Sequence, residues 1–340
     1  PVSTTRVTTD ASPTPVARTQ WRDSARNSST RTTRTARRGR VLRAAETGVV
    51  VLGAVVVTFR PPPGSLSRAV RSVLDGGGID RVVVVDNGGG ASGELPDDPR
   101  VELVVADRNG GFGAAANVGI RRLLAAGADA IAVLNDDVEV TPGWTAPLLA
   151  EFDASTDVGA VQPKLLLGAR SASPTPAIVN SLGVRLDPAG AGIDIGYGEP
   201  DDPADAAARD VEIVTGGAVM FRRRFLEEVG LFDECWFLYY EDVDLSLRGA
   251  HRGWRCRCAP SAVVWHVGGA STSVLGDRTR FLQERNRLRN AARHLGARQI
   301  AAAVWLSVRR LRHAPRGVHT RALVAGLATW PGELLRRMRR

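Results

Sequence analysis

Ala132-Val133-Leu134-Asn135-Asp136-Asp137-Val138-Glu139-Val140 is an apolar run, entered from Ala128-Asp129-Ala130-Ile131, that ends abruptly in an amide and two carboxylates. The apolar part reads as a buried strand. At the C-terminal end of such a strand, adjacent carboxylates repel each other and lose water, which costs free energy. A positive charge should sit against them. Oxygen ligands suit hard cations such as Mg2+ or Mn2+, and a divalent cation that also holds a diphosphate would meet the need. A polar turn after a strand is the plain alternative, so the surrounding sequence has to decide.

Upstream, Val49 to Thr58 is mostly Val, Leu, Ala and Gly, and reads as another fully buried strand. Pro61-Pro62-Pro63-Gly64 breaks it, and Ser65 can cap a helix running to about Leu74. Arg81 to Val85 is a second strand, ending at Asp86-Asn87-Gly88-Gly89-Gly90, and Val101 to Val105 is a third. A glycine-rich turn leads into a helix from about Ala114 to Ala126, and Ala130 to Leu134 is the fourth strand. This order predicts an α/β protein with a predominantly parallel, doubly wound sheet. Ligands bind such sheets beyond the carboxyl ends of the strands. Thr58, Asp86, Asn87, Asn109 and Asn135 to Asp137 all fall there.

Downstream, residues 168–210 are rich in Gly, Pro, Ala and Asp, and read as a long excursion on the substrate side. Val211 to Phe221 returns as a strand with a break at Gly216-Gly217. A helix from about Asp242 to His251 and strands at 254–258 and 261–265 follow. Beyond Arg278 the pattern is helical. Ala301, Val304, Trp305 and Val308 form an apolar face with Arg298, Arg309, Arg310 and Arg312 nearby. That suits an interfacial amphipathic helix or, equally, a helix packed on the domain with a solvated basic face.

Charge is distributed unevenly. Residues 1–45 carry ten Arg against Asp10 and Asp23, and residues 297–340 carry ten Arg against Glu333. The chain's net charge is only +9, so an acidic body lies between two basic ends. Basic ends attract an anionic membrane surface or nucleic acid, while the acidic body excludes nucleic acid along the core. Cys256 and Cys258 share a strand face, but with Cys235 they make no zinc set, and packing cysteines of a reducing compartment are expected. No run of apolar residues is long enough to span a membrane. The N-terminus lacks the apolar core of a secretory signal and reads as a disordered tail.

Four constellations carry chemistry. Asp86, at a strand end before glycines, can accept hydrogen bonds from a base imide or a ribose, or can serve as a turn Asp. Asn109-Gly110-Gly111-Phe112-Gly113-Ala114-Ala115-Ala116-Asn117 opens a helix, where glycines permit close approach and amides favour anions. Its glycine spacing differs from the dinucleotide fingerprint of a dehydrogenase. Asp233-Glu234 and Glu241-Asp242-Val243-Asp244 flank four aromatics at Trp236, Phe237, Tyr239 and Tyr240. Rings bordering carboxylates suit a sugar, and Asp242 is a candidate general base, with Asp244 structural. An acidic helix N-terminus is the bland reading of the same residues. A lone His is more often structural than a ligand, but His266 ends an apolar strand before glycines just as the acidic cluster ends one, which leaves joint coordination with Asp137 as the second reading.

These pieces, in this order, resemble the family 2 glycosyltransferases, the inverting GT-A class. The match runs through Val-Val-Thr-Phe at 56–59, Val-Val-Asp-Asn-Gly at 84–88, the glycine-rich segment 109–119, and Leu-Asn-Asp-Asp-Val at 134–138. It continues through Thr-Gly-Gly-Ala at 215–218, Phe-Asp-Glu at 232–234, Phe-Leu-Tyr-Tyr-Glu-Asp-Val-Asp-Leu-Ser-Leu-Arg at 237–248, and His266. It covers about residues 53–295 and is similar to the bacterial rhamnosyltransferase-like and galactofuranosyltransferase-like branch. Pro61-Pro62-Pro63 and the basic tail before Gly48 depart from the family core.

The resemblance implies a GT-A fold, a Rossmann-like nucleotide-diphospho-sugar transferase architecture with C-terminal helices. The implied domains are 1–46, a disordered basic tail; 47–277, the GT-A domain; and 278–340, basic amphipathic helices. It implies that Thr58, Phe59, Asp86, Asn87, Asn109, Gly111, Phe112, Gly113, Asn117, Asn135 and Asp136 hold the nucleotide-sugar donor. Asp137 and His266 would ligate Mg2+ or Mn2+, and Asp242 would deprotonate the acceptor hydroxyl. Thr215, Gly216, Gly217, Trp236 and Glu241 would shape the acceptor side. The implied reaction moves one sugar from a dTDP-rhamnose or UDP-sugar donor to a cell-envelope glycan or lipid-linked acceptor. The implied place is cytoplasmic, peripheral on the inner face of the plasma membrane. A polymer synthase is not implied, since Gln-x-x-Arg-Trp is absent. A sugar-phosphate nucleotidyltransferase would need a basic glycine-rich signature after the first strand, where Arg60 and three prolines stand. A non-catalytic, membrane-associated protein driven by the basic ends is the third reading.

Overall fold

The structure is a computed structural model. It describes residues 50–88, 95–172, 174–268, 276–313 and 315–338. The basic tail expected at 1–46 lies outside the described residues, as do Gly89, Gly90 and Gly269.

The chain runs β1 (Leu52–Thr58), α1 (Ser65–Asp75), β2 (Arg81–Asp86), β3 (Val101–Val105), α2 (Phe112–Ala125), β4 (Ala130–Asn135), β5 (Val138–Val140) and α3 (Thr145–Ala154). It continues through β6 (Val158–Leu167), β7 (Val179–Ser181), β8 (Val184–Leu186), β9 (Gly192–Asp194), β10 (Arg209–Val211), β11 (Ala218–Arg222), α4 (Arg223–Val229), α5 (Glu241–Ala250) and β12 (Arg255–His266). Four helices close it: α6 (Asp277–His294), α7 (Ala297–Arg310), α8 (Arg316–Ala328) and α9 (Trp330–Met338).

The central sheet has the order β10-β12-β6-β11-β4-β1-β2-β3, with β5 on β12 and β7 on β6. β1 pairs parallel with β2 and β4, β2 with β3, and β6 with β12. β11 runs antiparallel between β4 and β6. Every residue of β1 is buried because helices cover both faces. The pleat sends Leu52, Ala54 and Val56 into one core with Leu66, Val70 and Val73 of α1 and Leu148 and Phe152 of α3. It sends Val55 and Val57 into a second core with Ile120 and Leu123 of α2, Phe225 of α4 and Leu245 of α5. Each large side chain so buried contributes roughly 1.5–3 kcal/mol. α2 lies close on β1 because Gly119 has no side chain: a Cβ there would come within 2.5 Å of Val55 Cγ1.

Several local expectations are corrected. Ser65 does not cap α1. Gly64 holds the N-cap position, and the Ser65 hydroxyl donates instead to the Asp136 carbonyl oxygen at 2.9 Å. The two strands expected at 254–258 and 261–265 are one strand, with its register shifted between Ala259 and Val263. The strand expected from Val211 to Phe221 is split: β10 ends at Val211, β11 begins at Ala218, and between them Ile213 bridges to Val184 while Thr215, Gly216 and Gly217 line a cavity. The excursion at 168–210 carries β7, β8, β9 and the start of β10, too short for sequence periodicity to register. Cys256 and Cys258 are buried in the second core.

α6 has an unusual buried face: Glu284, Asn286, Arg287, Arg289, Asn290 and Arg293 are all at most 8% exposed. Glu284 accepts from Arg287 at 2.7 Å, from Ser307 at 2.5 Å, and from Arg310. Glu333 of α9 accepts from Arg289 at 2.5 Å and from Arg293. Much of the basic charge of the C-terminal helices is therefore spent internally. On α7 the buried residues are Ala303 and Ser307, while Trp305 and Val308 are 62% and 49% exposed. No helix among the described residues is long and apolar enough to cross a membrane.

Candidate active site

Sheet register aligns the polar strand ends. Thr58 pairs with Asp86 across β1 and β2, and Val57 with Asn135 across β1 and β4. Asp136 turns back into this seam. Its Oδ2 accepts from Thr58 Oγ1 at 2.5 Å and from the Phe59 amide at 3.3 Å. Burial pushes its carboxyl up to about 6, against the Thr58 hydrogen bond and with help from the Asp137 charge.

Asp137 faces the other way. β5 follows it immediately and pairs antiparallel with the end of β12, setting Val138 opposite His266. The Val267 amide donates to the Asp137 carbonyl at 3.0 Å. Asp137 Oδ1 and His266 Nε2 then stand 3.3 Å apart. His266 Nδ1 meets Asn180 Oδ1 at 2.7 Å, a contact that suits a proton on Nδ1 and turns Nε2 toward Asp137. Asn135 Nδ2 approaches the same Nε2 at 3.5 Å. A carboxylate oxygen and a nitrogen lone pair facing each other at this distance require a cation or a proton between them. No three His, Cys, Asp or Glu side chains gather as a full ligand set among the described residues. Two protein ligands nevertheless fit a hard cation that keeps waters and takes phosphate oxygens from a substrate.

The second acidic group begins α5. Asp242 Oδ2 accepts from the Gly216 amide and Oδ1 from the Val243 amide, both at 2.8 Å. Glu241 is 5% exposed, and its Oε2 has no hydrogen-bond partner among the described residues. Burial raises the pKa of both carboxyls, and the Asp242 charge raises Glu241 further. The turn before them is strained: Phe237, Tyr239 and Tyr240 have φ of 69°, 69° and 73°, in the left-handed region that non-glycine residues avoid. Asn286, fully buried on α6, pins it, its Nδ2 lying 2.8–3.1 Å from the carbonyls of Trp236, Leu238 and Tyr239. The Phe112 amide donates to the Phe237 carbonyl at 2.8 Å. Gly111 allows this approach, since a Cβ there would lie 2.0 Å from the same oxygen. The loop at 215–217 is held by the Thr215 amide on Gln162 Oε1 (2.9 Å) and the Asn135 amide on the Gly217 carbonyl (3.1 Å).

All of this surrounds one cavity of about 760 Å³, a size suited to a large substrate. Of the residues singled out from sequence, Phe59, Asn87, Asn109, Gly111, Phe112, Asn135, Asp136, Asp137, Thr215, Gly216, Gly217, Glu241, Asp242 and His266 line it. Others stand behind the lining. Thr58 is 1% exposed and supports Asp136. Asp86 is buried, accepts from the Gly88 amide at 2.9 Å, and borders residues outside the described set. Gly113 packs against Phe232. Asn117 does not line the cavity: its side chain bonds the Phe232 backbone at both ends and Glu234 Oε1 at 3.0 Å. Trp236 also stands outside the lining, fully buried with Arg289 and Arg293 each 4.8 Å from its ring. Sequence reasoning missed Asn180, Asp194, Gln162, Asn286, Arg278 and Arg280. Asp194 lines the cavity from β9, and burial raises its pKa.

A family model described as "Glycosyltransferase like family 2" matches residues 52–291. The N-acetylglucosaminyl-diphospho-decaprenol L-rhamnosyltransferase of Mycobacterium tuberculosis is 29% identical over 285 residues, covering 76% of this chain and 85% of that protein. The pre-mycofactocin glycosyltransferase of the same organism is 30% identical over 240 residues, covering 65% of this chain and 47% of that protein. A crystal structure of GalNAc-T7 with UDP, GalNAc and Mn2+ shares the fold, with a TM-score of 0.59 at 14% identity over 86% of this chain and 58% of that one. Joined to the ordered motifs and the acidic cavity at the strand ends, a family match over more than two thirds of the chain leads to one conclusion: this protein belongs to glycosyltransferase family 2, near its rhamnosyltransferase branch, and is a sugar-transferring enzyme on a GT-A fold.

Proposed function

We propose that the chain transfers one sugar, with inversion, from a nucleotide-diphosphate donor to a cell-envelope glycan or lipid-linked acceptor, in a cation-dependent reaction. The observation that carries this reading is that two acidic groups line one cavity: Asp137 with His266, and Asp242. Asp242 takes the proton of the acceptor hydroxyl. The hydroxyl oxygen bonds to the anomeric carbon as that carbon's bond to the diphosphate breaks, and the nucleoside diphosphate leaves. The Gly216 and Val243 amides hold the Asp242 carboxylate in place, and its raised pKa makes it a better base than an exposed aspartate. Mg2+ or Mn2+, held by Asp137 and His266, would supply Lewis-acid stabilisation of the leaving diphosphate.

A relative named for rhamnosyl transfer to a diphospho-decaprenol acceptor favours dTDP-rhamnose or a UDP-sugar as donor. A peripheral position on the cytoplasmic face of the plasma membrane is consistent with exposed Trp305, Val308 and Met338 beside arginines on the C-terminal helices. The test is donor turnover by the full chain over a panel of nucleotide sugars, with Mg2+ or Mn2+ and with chelator. One donor should be consumed, and chelation should abolish its consumption. A folded sample that binds no nucleotide sugar would overturn the reading.

A further inference from the structure

We propose that Arg278 and Arg280, at the start of α6, form a phosphate subsite for the diphosphate of a lipid-linked acceptor; the inference rests on the transferase reading above. The cavity lining carries both charges. Its acidic members are Asp136, Asp137, Asp194, Glu241 and Asp242. Its basic members come from the C-terminal helices: Arg280, Gln283, Glu284 and Arg287 recur at helical spacing on α6, with Arg278 before them and Arg310 arriving from α7. Glu284 serves both Arg287 and Arg310, so that buried cluster already keeps one positive charge. Arg278 and Arg280 are exposed and make no ion pair among the described residues. The Arg278 guanidinium lies 5.0 Å over the Phe237 ring, which holds it beside the strained turn that leads into Asp242.

The donor diphosphate already has a partner in the cation site of Asp137 and His266. Arg278, held on Phe237 beside the turn that leads into Asp242, and Arg280 next to it on α6 therefore fit a second anion, entering with the acceptor whose hydroxyl must reach Asp242. Guanidinium groups pair with phosphate oxygens in a bidentate fork, which suits a diphosphate. The relative that acts on a diphospho-decaprenol acceptor has the same chemistry in its name. The helix that sends Arg310 into the cavity also exposes Trp305 and Val308, apolar surface suited to the lipid chain.

The test compares two acceptors bearing N-acetylglucosamine, one a short polyprenyl diphosphate and one a neutral alkyl glycoside. In Arg278→Ala and Arg280→Ala, kcat/KM for the diphosphate acceptor relative to the neutral one should fall about tenfold each, through KM. Thermal melting should stay at the wild-type value. An unchanged ratio, or a rise in donor KM instead, would overturn the assignment, the latter moving both arginines to the donor. If the wild-type chain uses neither acceptor, the transferase reading is at fault. Binding of geranyl diphosphate in chelator then decides the subsite by itself: loss of binding in the double variant supports it, and equal or absent binding overturns it.

Discussion

Two aspartates, two residues apart on α5, meet opposite fates. Asp244 is fully buried and takes hydrogen bonds from Arg248, Arg293 and His294, each at 2.8 Å. Burial alone would raise its pKa, but these partners outweigh burial and hold the carboxyl far below the ordinary range. Asp242 lines the cavity, accepts from the Gly216 and Val243 backbone amides with no arginine paired to it among the described residues, and has its pKa raised by burial. The same side chain is neutralised by arginine where α5 meets α6, and left basic where α5 meets the cavity. The difference teaches that charge compensation, rather than residue type, separates framework from chemistry in this molecule.

The largest expected effect lies on the cavity side. Asp242→Asn keeps one of the two amide contacts and removes the base, and transfer should fall by about 10²–10⁴ while the chain stays folded. Normal transfer by that variant would break the comparison. Because Asp242 and Glu241 interact, the acid limb of kcat/KM belongs to the pair. It should lie above the ordinary carboxylate range, since burial raises both. A limb near pH 4 would remove the case for a desolvated base.

The next effect lies on the framework side. Asp244→Asn removes the buried carboxylate that Arg248, Arg293 and His294 share, leaving Arg293 to Glu333 and Asp233, and should cost about 3–5 kcal/mol of stability, read by denaturant unfolding. A depressed folded pKa contributes stability above the unfolded value that is lost as pH falls through the folded one. The wild-type advantage over Asp244→Asn should therefore hold at neutral pH and shrink only in strong acid. A stable Asp244→Asn variant would show that the network, not the aspartate, bears the load.

Much of this site is legible in the sequence because strand ends announce themselves: an apolar run that stops in Asn135-Asp136-Asp137, and another that stops in His266. Both fall on the ligand side of a parallel sheet, and antiparallel pairing of β5 with β12 brings them together. What the sequence hides is direction. Trp236 and Asn117 have the chemistry of sugar and nucleotide binders, but they face Arg289 and the Phe232 backbone. α6 reads only as the start of a basic amphipathic helical segment, because hydrophobic periodicity cannot register a buried face made of arginine, glutamate and asparagine. Asn180 and Asp194 sit on strands of three residues in a segment of Gly, Pro and Ala, too short for a period-two signal.

The smallest effect sharpens the comparison at its boundary, on Glu241. It is as buried as a framework residue, yet its Oε2 has no hydrogen-bond partner among the described residues. Burial and the Asp242 charge raise its pKa above the unfolded value, so its ionisation opposes folding. A raised folded pKa gives stability that is present below the unfolded value and is lost as pH rises through the folded one. Glu241→Gln should therefore match wild type near pH 4 and exceed it in alkali by on the order of 1–2 kcal/mol, or about 2–4 °C per kcal/mol in melting temperature. Transfer should fall in the same variant, because a residue left unpaired against its own stability is one reserved for a ligand hydroxyl. If Glu241→Gln loses stability at every pH, Glu241 belongs with Asp244 in the framework, and the line between the two regions runs between Glu241 and Asp242.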